Sequence, residues 1–139
     1  MVFSTKHRND LIPPDLMPEL HAYIAGICRA QESEAFRVGG TENHVHIACT
    51  LPRTLPVSRL LEEIKKSSSL WIKNRDVRCQ DFSWQAGYGA FSLGQSQLDR
   101  LIHYIEAQKE HHQKRTFQEE LLELLDKYNV DYDEKYLWD

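Results

Sequence analysis

The sequence predicts an α+β fold, a ferredoxin-like or RRM-like sandwich in which helices cover one face of a mainly antiparallel sheet. Its 139 residues are enough for one hydrophobic core and indicate a single domain. Apolar residues alternate with period two in some segments and recur at helical spacing in others. The predicted elements follow one another as strand, helix, strand, strand, helix, strand and helix. An acidic helix and tail extend this arrangement at the C-terminal end.

The first strand and the first helix are predicted within residues 1–31. The segment "MVFST" is a short strand candidate, and "LIPPD" is a turn whose Asp15 can cap the following helix. This helix should run from about Leu16 to Gln31, because apolar residues recur along one side. Its buried stripe contains Leu20, Tyr23, Ile24 and Ile27.

A β-hairpin is predicted over residues 35–51. The segment "AFRVGG" has the pattern of a strand that ends in a glycine turn, and residues 43–51 have the pattern of the next strand. Gly39 and Gly40, followed by "TEN", lie between two apolar runs, which is typical of a hairpin connection.

Two further helices and an aromatic segment complete the predicted core. A second helix follows "LPRTLP", and its apolar side contains Val57, Leu60, Leu61, Ile64 and Trp71. The segment "DFSWQAGYGAFSL" fits one or two strands interrupted by a bend. Ser96 can cap a third helix that carries Leu98, Leu101, Ile102 and Ile105. In "TFQEELLELLDKY", Thr116 and Glu119 form a capping box that predicts a fourth helix.

The composition excludes several classes of protein. Hydrophobic residues make up 41% and charged residues 27%, which is typical of a globular chain rather than a disordered one. No apolar run approaches membrane-spanning length, and the start of the chain has no signal-peptide pattern. The three cysteines are far apart and form no CxxC pair, which indicates reduced thiols in a cytoplasmic protein.

The net charge of −4 is distributed unevenly along the chain. Residues 116–139 carry eight acids and two bases, whereas residues 1–115 carry 15 bases and 13 acids. Six of those bases lie within residues 59–78, which would suit a surface that contacts phosphates. An ordinary solvated helix face explains the same charges equally well.

Two histidines share one face of the strand predicted over residues 43–51. The neighbouring apolar set suits a core, and it consists of Val45, Ile47, Cys49 and Leu51. His44 and His46 therefore point to the opposite face, with Cα atoms roughly 6–7 Å apart. Both imidazoles could bind one cation through bonds of about 2 Å. Hydrogen-bonded or surface histidines without a metal are an equally good interpretation of this pair alone.

The segment "HYIEAQKEHH" places further polar groups on one helix face. Tyr104, Gln108 and His111 or His112 recur at helical spacing, so they border the apolar stripe and can face the sheet. If a metal holds a phosphate there, Gln108 can complete its coordination and Tyr104 can attack the phosphorus. Such ligands favour Mg²⁺ or Mn²⁺, with zinc also possible. A packing tyrosine and a solvated glutamine are the common alternatives for this spacing.

Taken together, these motifs resemble the single-tyrosine HUH transposases of small bacterial insertion sequences, the IS200-like family. His44-Val45-His46 matches the motif of histidine, bulky hydrophobe and histidine, and "YIEAQ" matches the tyrosine helix, in which Tyr and Gln are four apart. The segments "IKKSSSLWI", "WQAGYGAFS", "KEHH" and "YLWD" also resemble recurrent segments of that family. The resemblance extends over nearly the whole chain, although relatives commonly have several more residues before the first strand.

The resemblance implies one HUH domain over residues 1–139, with a catalytic core over 1–115. It implies Mg²⁺ or Mn²⁺ held by His44, His46 and Gln108. Tyr104 would cleave single-stranded DNA and become joined to the 5′ phosphate, leaving a free 3′ hydroxyl. It further implies a homodimer with merged sheets that recognises hairpins at the insertion-sequence ends, with the tyrosine helix docked in cis or in trans. We expect the acidic residues 116–139 to pack away from DNA, because like charges repel.

Contacts with DNA outside this site are inferred from the basic stretch. The candidate phosphate contacts are Lys65, Lys66, Lys73 and Arg75. Trp71 or Trp84 could stack a base, although a core position is favoured for Trp84. A domesticated protein that binds hairpin DNA without cutting it is the alternative function. A metal-dependent hydrolase without a covalent intermediate is a second alternative, and it would leave Tyr104 without a role.

Overall fold

The computed structural model describes residues 1–107 together with residues 119, 122 and 123. Its elements are strand β1 (Val2–Ser4), helix α1 (Met17–Ala30), strands β2 (Ala35–Thr41) and β3 (His44–Cys49), and helices α2 (Val57–Arg75) and α3 (Leu98–Glu106). The predicted α+β class is confirmed. The fourth helix falls outside the described residues except for Glu119, Leu122 and Glu123, which are helical.

The three strands form an antiparallel sheet in the order β1-β3-β2. In the centre of the sheet, His44 lies between Ser4 and Thr41, while His46 lies between Val2 and Gly39. Directly opposed residues share a face of a sheet, so the two histidines share theirs with these four neighbours.

The hydrophobic core lies on the other face, between the sheet and helices α1 and α2. The sheet contributes Phe3, Val45 and Ile47, which alternate with the residues of the histidine face. The two helices contribute Leu20, Ile24, Cys28, Leu60, Leu61, Ile64 and Ile72. Complete burial of one such aliphatic side chain contributes about 1.5–3 kcal/mol, so this layer stabilises most of the fold. In the described part of the chain, no helix is both long enough and apolar enough to span a bilayer.

Helix α3 packs on the histidine face, so helices cover both faces of the sheet. The sequence predicted helices on one face only, and this holds for α1 and α2 but not for α3. Gly39 of β2 permits the packing, because a Cβ there would lie 2.6 Å from Cγ2 and 2.9 Å from the carbonyl oxygen of Ile105. Arg37 of β2 also pairs with Glu106 at 2.9 Å. The close approach of the α3 backbone to β2 therefore explains why a residue without a side chain occupies position 39.

Three local predictions were wrong. Ser96 does not cap α3, since Gln97 occupies the cap position. The glycine pair does not form the hairpin turn, because Gly39 and Gly40 lie within β2 and residues 42–43 make the turn. Asp15 does not cap α1, since Leu16 occupies the cap position. Instead the carboxylate of Asp15 pairs with Arg78 at 2.9 Å, and this pair holds the pKa of Asp15 below its usual value.

The segment 83–89 runs along the outer edge of β1. Val2 and Gly89 exchange two backbone hydrogen bonds of 2.8 Å, and the backbone N–H of Gln85 donates to the carbonyl of Ser4 at 2.9 Å. Residues 85–88 bulge between isolated bridges at Trp84 and Gly89, so the strands predicted in this segment are reduced to two single bridges with a bend between them. Trp84 belongs to the core, where its ring packs edge-on against Phe3 at 4.8 Å.

Candidate active site

The two imidazoles of β3 lie side by side beneath α3. The ring centroids of His44 and His46 are 5.1 Å apart, with ring planes at 80°. The strand alternation places both on the face opposite the core, as the sequence predicted. Both are buried, with exposed fractions of 0% and 5%, because α3 covers them. Burial in a medium of low dielectric strengthens every electrostatic interaction at this point.

Tyr104 reaches the histidine pair from α3. Its ring centroid is 5.6 Å from that of His46, with the planes at 84°, so the two rings are in edge-to-face contact. The contact depends on how closely α3 approaches the sheet, because Ile105 is the next residue along the helix and rests on Gly39. The structure thus brings together three of the four residues that the sequence selected. Gln108, like His111 and His112, lies outside the described residues.

His44 is held on its Nδ1 side by the hairpin turn. The Oδ1 atom of Asn43 is 2.8 Å and the Oγ1 atom of Thr41 is 2.9 Å from Nδ1 of His44. Any bond from His44 to a metal would therefore come from Nε2, since Nδ1 already has oxygen partners. Orienting partners of this kind are the usual second layer of a histidine metal site.

The donor set fits a divalent cation. Two adjacent buried imidazoles could provide nitrogen ligands, and the sequence predicts that the amide oxygen of Gln108, outside the described residues, would complete the set. Among the described residues, no group of three or more His, Cys, Asp or Glu side chains could hold a metal. The fit therefore depends on the pair of histidines and on Gln108.

Lys65 contacts the backbone of the segment beside β1. Its Nζ donates to the carbonyls of Gln85 at 2.7 Å, Ala86 at 3.3 Å and Gly87 at 2.8 Å. Burial lowers the pKa of this ammonium to about 8. Lys65 therefore fixes the bulge that follows Trp84, whereas the sequence analysis predicted a phosphate contact for it.

The other proposed DNA contacts lie on α2, across the sheet from the histidines. The ring of Trp71 stacks on Tyr23 of α1, with centroids 5.0 Å apart and planes at 17°. Arg75 pairs with Glu19 at 3.0 Å, while Lys66 is exposed and Lys73 half-buried. The structure does not bring these residues to the candidate site.

Several polar neighbours of the site were missed by the sequence analysis. Ser4 lies opposite His44 in the sheet, and its hydroxyl donates to Oε1 of Gln85 at 2.5 Å. Thr41 and Asn43 were also missed, although both flank the histidine pair in the sequence. The signal that finds Ser4 and Thr41 is strand register, because residues opposed to His44 must share its face.

Comparison with known proteins identifies a matching family and a solved structure with a similar fold. The model of the family described as "Transposase IS200 like" matches residues 1–108. No curated protein matches the chain significantly. A crystal structure from Deinococcus radiodurans R1, of a protein provisionally assigned as a transposase, is similar with a TM-score of 0.59. It is 14% identical over 77% of this chain and 86% of that chain, so it supports the fold alone.

Proposed function

This chain belongs to the IS200-like transposase family, and we propose that it cuts and rejoins single-stranded DNA through a covalent bond between Tyr104 and a 5′ phosphate. DNA is the substrate that membership of a transposase family implies. The observation that carries the proposal is the contact between the Tyr104 ring and His46, with ring centroids 5.6 Å apart. Tyr104 carries the only side-chain hydroxyl of α3, and its ring contacts one of two adjacent imidazoles, where a phosphate and a cation could both be held.

The proposed chemistry is an in-line displacement at phosphorus. The Oη atom of Tyr104 attacks and loses its proton, the bond from phosphorus to the 3′ oxygen breaks, and that oxygen leaves as a 3′ hydroxyl. The phosphotyrosine bond conserves the energy of the phosphodiester, so a second 3′ hydroxyl can attack it and rejoin the strands without a nucleotide cofactor. The burial of the site under α3 limits hydrolysis of this linkage by water.

Mg²⁺ or Mn²⁺ is the proposed cofactor. His44, His46 and Gln108 would hold it, and when bound it supplies positive charge that stabilises the phosphate during displacement. An unperturbed phenol has a pKa near 10, so deprotonation of Tyr104 also benefits from a nearby cation.

Hairpin recognition and dimerisation are parts of the same proposal, and the family resemblance supports both. The basic residues of α2 would contact a segment of DNA distant from the scissile phosphate, because the sheet separates them from Tyr104. This arrangement suits a hairpin stem bound on one side of the molecule while a single strand enters the site on the other.

The decisive experiment incubates labelled single-stranded hairpin DNA with the protein and Mg²⁺ or Mn²⁺, then detects a covalent adduct after denaturation. We expect an adduct with the native chain, and no adduct with Tyr104→Phe, because that variant lacks the nucleophilic oxygen but keeps the ring. Tyr88→Phe is the matched control, since Tyr88 is exposed, and it should form the adduct normally.

Two outcomes would contradict the proposal. If Tyr104→Phe still cleaves DNA, a hydrolase without a covalent intermediate is the better assignment. If the native chain binds the hairpin but forms no adduct with either metal, the alternative of a domesticated hairpin-binding protein is supported.

A further inference from the structure

We propose that Asp10 and Asn43 are positioning residues that fix the tautomer of His44, holding its proton on Nδ1 and its lone pair on Nε2. The inference rests on the proposed function only where it assigns His44 to a metal. The tautomer itself follows from the hydrogen bonds around the hairpin turn.

The turn is anchored to the segment that follows β1. The backbone N–H of Thr5 donates to the carbonyl of Asn43 at 2.8 Å, and that of Ile12 donates to the carbonyl of Glu42 at 3.0 Å. These two bonds hold residues 5–12 against the turn and bring Asp10 to the side chain of Asn43. The arrangement is therefore built into the backbone rather than left to two surface side chains.

Asp10 determines which end of the Asn43 amide faces the imidazole. The Nδ2 atom of Asn43 donates to Oδ1 of Asp10 at 3.1 Å. An ionised carboxylate has no hydrogen to donate, so the NH₂ end of the amide must face Asp10. The carbonyl end of Asn43 is consequently directed at His44.

That carbonyl oxygen determines where the imidazole proton lies. Oδ1 of Asn43 is 2.8 Å from Nδ1 of His44, and an amide oxygen only accepts, so Nδ1 must donate. Thr41 alone would not select a tautomer, because a hydroxyl can donate or accept. Its own proton has a second acceptor in Oδ1 of Asn43 at 3.3 Å, so its oxygen can accept from Nδ1 as well.

The consequence concerns ligand binding. A neutral imidazole carries one N–H, so protonation of Nδ1 leaves the lone pair on Nε2, the nitrogen through which His44 would bind a cation. The ring is then in the binding tautomer before any metal arrives. Partners of this kind typically change metal affinity by about 10- to 100-fold.

The first test is ¹⁵N–¹H NMR of the imidazoles in the metal-free protein at about pH 8, where unperturbed imidazoles are neutral. We expect His44 to carry its proton on Nδ1 in the native chain, and to lose this preference in Asn43→Ala. Glu42→Ala is the matched control, because Glu42 occupies the same turn without contacting the imidazole, and it should leave the tautomer unchanged. Asp10→Ala should weaken the preference while keeping Asn43 and the turn, which preserves the test if Asn43→Ala fails to fold.

The second test is Mn²⁺ affinity, measured by electron paramagnetic resonance on the same variants. We expect Asn43→Ala to bind Mn²⁺ about 10- to 100-fold more weakly than the native chain or Glu42→Ala. Protonation of Nε2 in native His44, or an unchanged tautomer in folded Asn43→Ala, would overturn the inference. Absence of Mn²⁺ binding in the native chain would contradict the proposed function instead, because the tautomer is measured without metal.

Discussion

His21 of α1 is a half-buried ionisable residue outside the candidate site. Its Nε2 atom is buried and has no hydrogen-bond partner among the described residues. Burial lowers the pKa of this imidazole to about 4, well below the value of about 6.5 expected in the unfolded chain. Between these two values the unfolded state binds more protons than the folded state, so the free energy of unfolding falls as the pH is lowered.

We predict that His21→Leu removes part of the acid sensitivity of the fold. At about pH 5 the shift would cost the native protein about 1 kcal/mol after allowance for partial exposure of the ring. Urea unfolding at about pH 7 and pH 5 measures this cost, and the loss of stability should be smaller in His21→Leu. An equal loss in both proteins would show that other groups cause the acid sensitivity.

At the residue scale, some residues of the candidate site could be predicted from the sequence and others could not. His44, His46 and Tyr104 were selected because their residue types and spacings are visible locally. Asp10 was not, since its relation to His44 depends on how the segment after β1 folds back over the hairpin turn. Asn43 was not, because the direction of its amide depends on Asp10, 33 positions away. Asp15 was misassigned for a similar reason, because Arg78 lies 63 positions away in the sequence.

At the scale of elements, the packing of α3 on β2 determines where Tyr104 lies. The predicted ends of the first helix, Leu16 and Gln31, agree with α1 to within one residue, because apolar periodicity is a local property. Gly39 was wrongly assigned to the hairpin turn, because its actual role is close contact with Ile105 of a helix distant in the sequence. A glycine pair near a hairpin indicates a turn unless another element requires close approach, and only the assembled fold shows that requirement.

We predict that Gly39→Ala displaces α3 and lowers adduct formation about 10- to 100-fold, since small misplacements of reacting groups have effects of this size. The added Cβ would overlap the backbone of Ile105, and such overpacking typically costs about 1–3 kcal/mol. Adduct yield and thermal unfolding measure the two effects, and Mn²⁺ binding by the histidines should decline less than adduct yield.

Gly26→Ala is the control for the loss of a glycine. Gly26 lies in α1, and a Cβ there meets no atom within 4 Å, so alanine should stabilise the helix by about 0.5–1 kcal/mol. If Gly39→Ala behaved like Gly26→Ala, the contact with Ile105 would not govern the position of Tyr104.

At the scale of the whole molecule, one chain contains both the histidine pair and the tyrosine helix in contact. The resemblance drawn from the sequence left docking of that helix in cis or in trans open. In this structure the ring of Tyr104 already touches His46 of the same chain. The histidine pair and Tyr104 of one chain therefore meet without exchange of the helix.

We therefore predict that two inactive variants do not complement each other. A protein with His44→Ala and His46→Ala, mixed with Tyr104→Phe, should form no adduct, because neither chain contains a complete site. The mixture must first be unfolded and refolded together so that subunits can exchange. Recovery of adduct to a substantial fraction of the native yield would show that the helix docks in trans.

The segment along β1 also limits how copies of this chain can associate. Residues 83–89 use the outer backbone groups of β1, whereas no strand lies beyond β2 among the described residues. A sheet whose one edge is already hydrogen-bonded can add strands only at its other edge. When two such open edges pair, each provides hydrogen-bond partners for the unpaired backbone groups of the other. If the proposed dimer forms through the edge of β2 that the described residues leave open, sheet pairing ends at two copies and does not propagate into a filament.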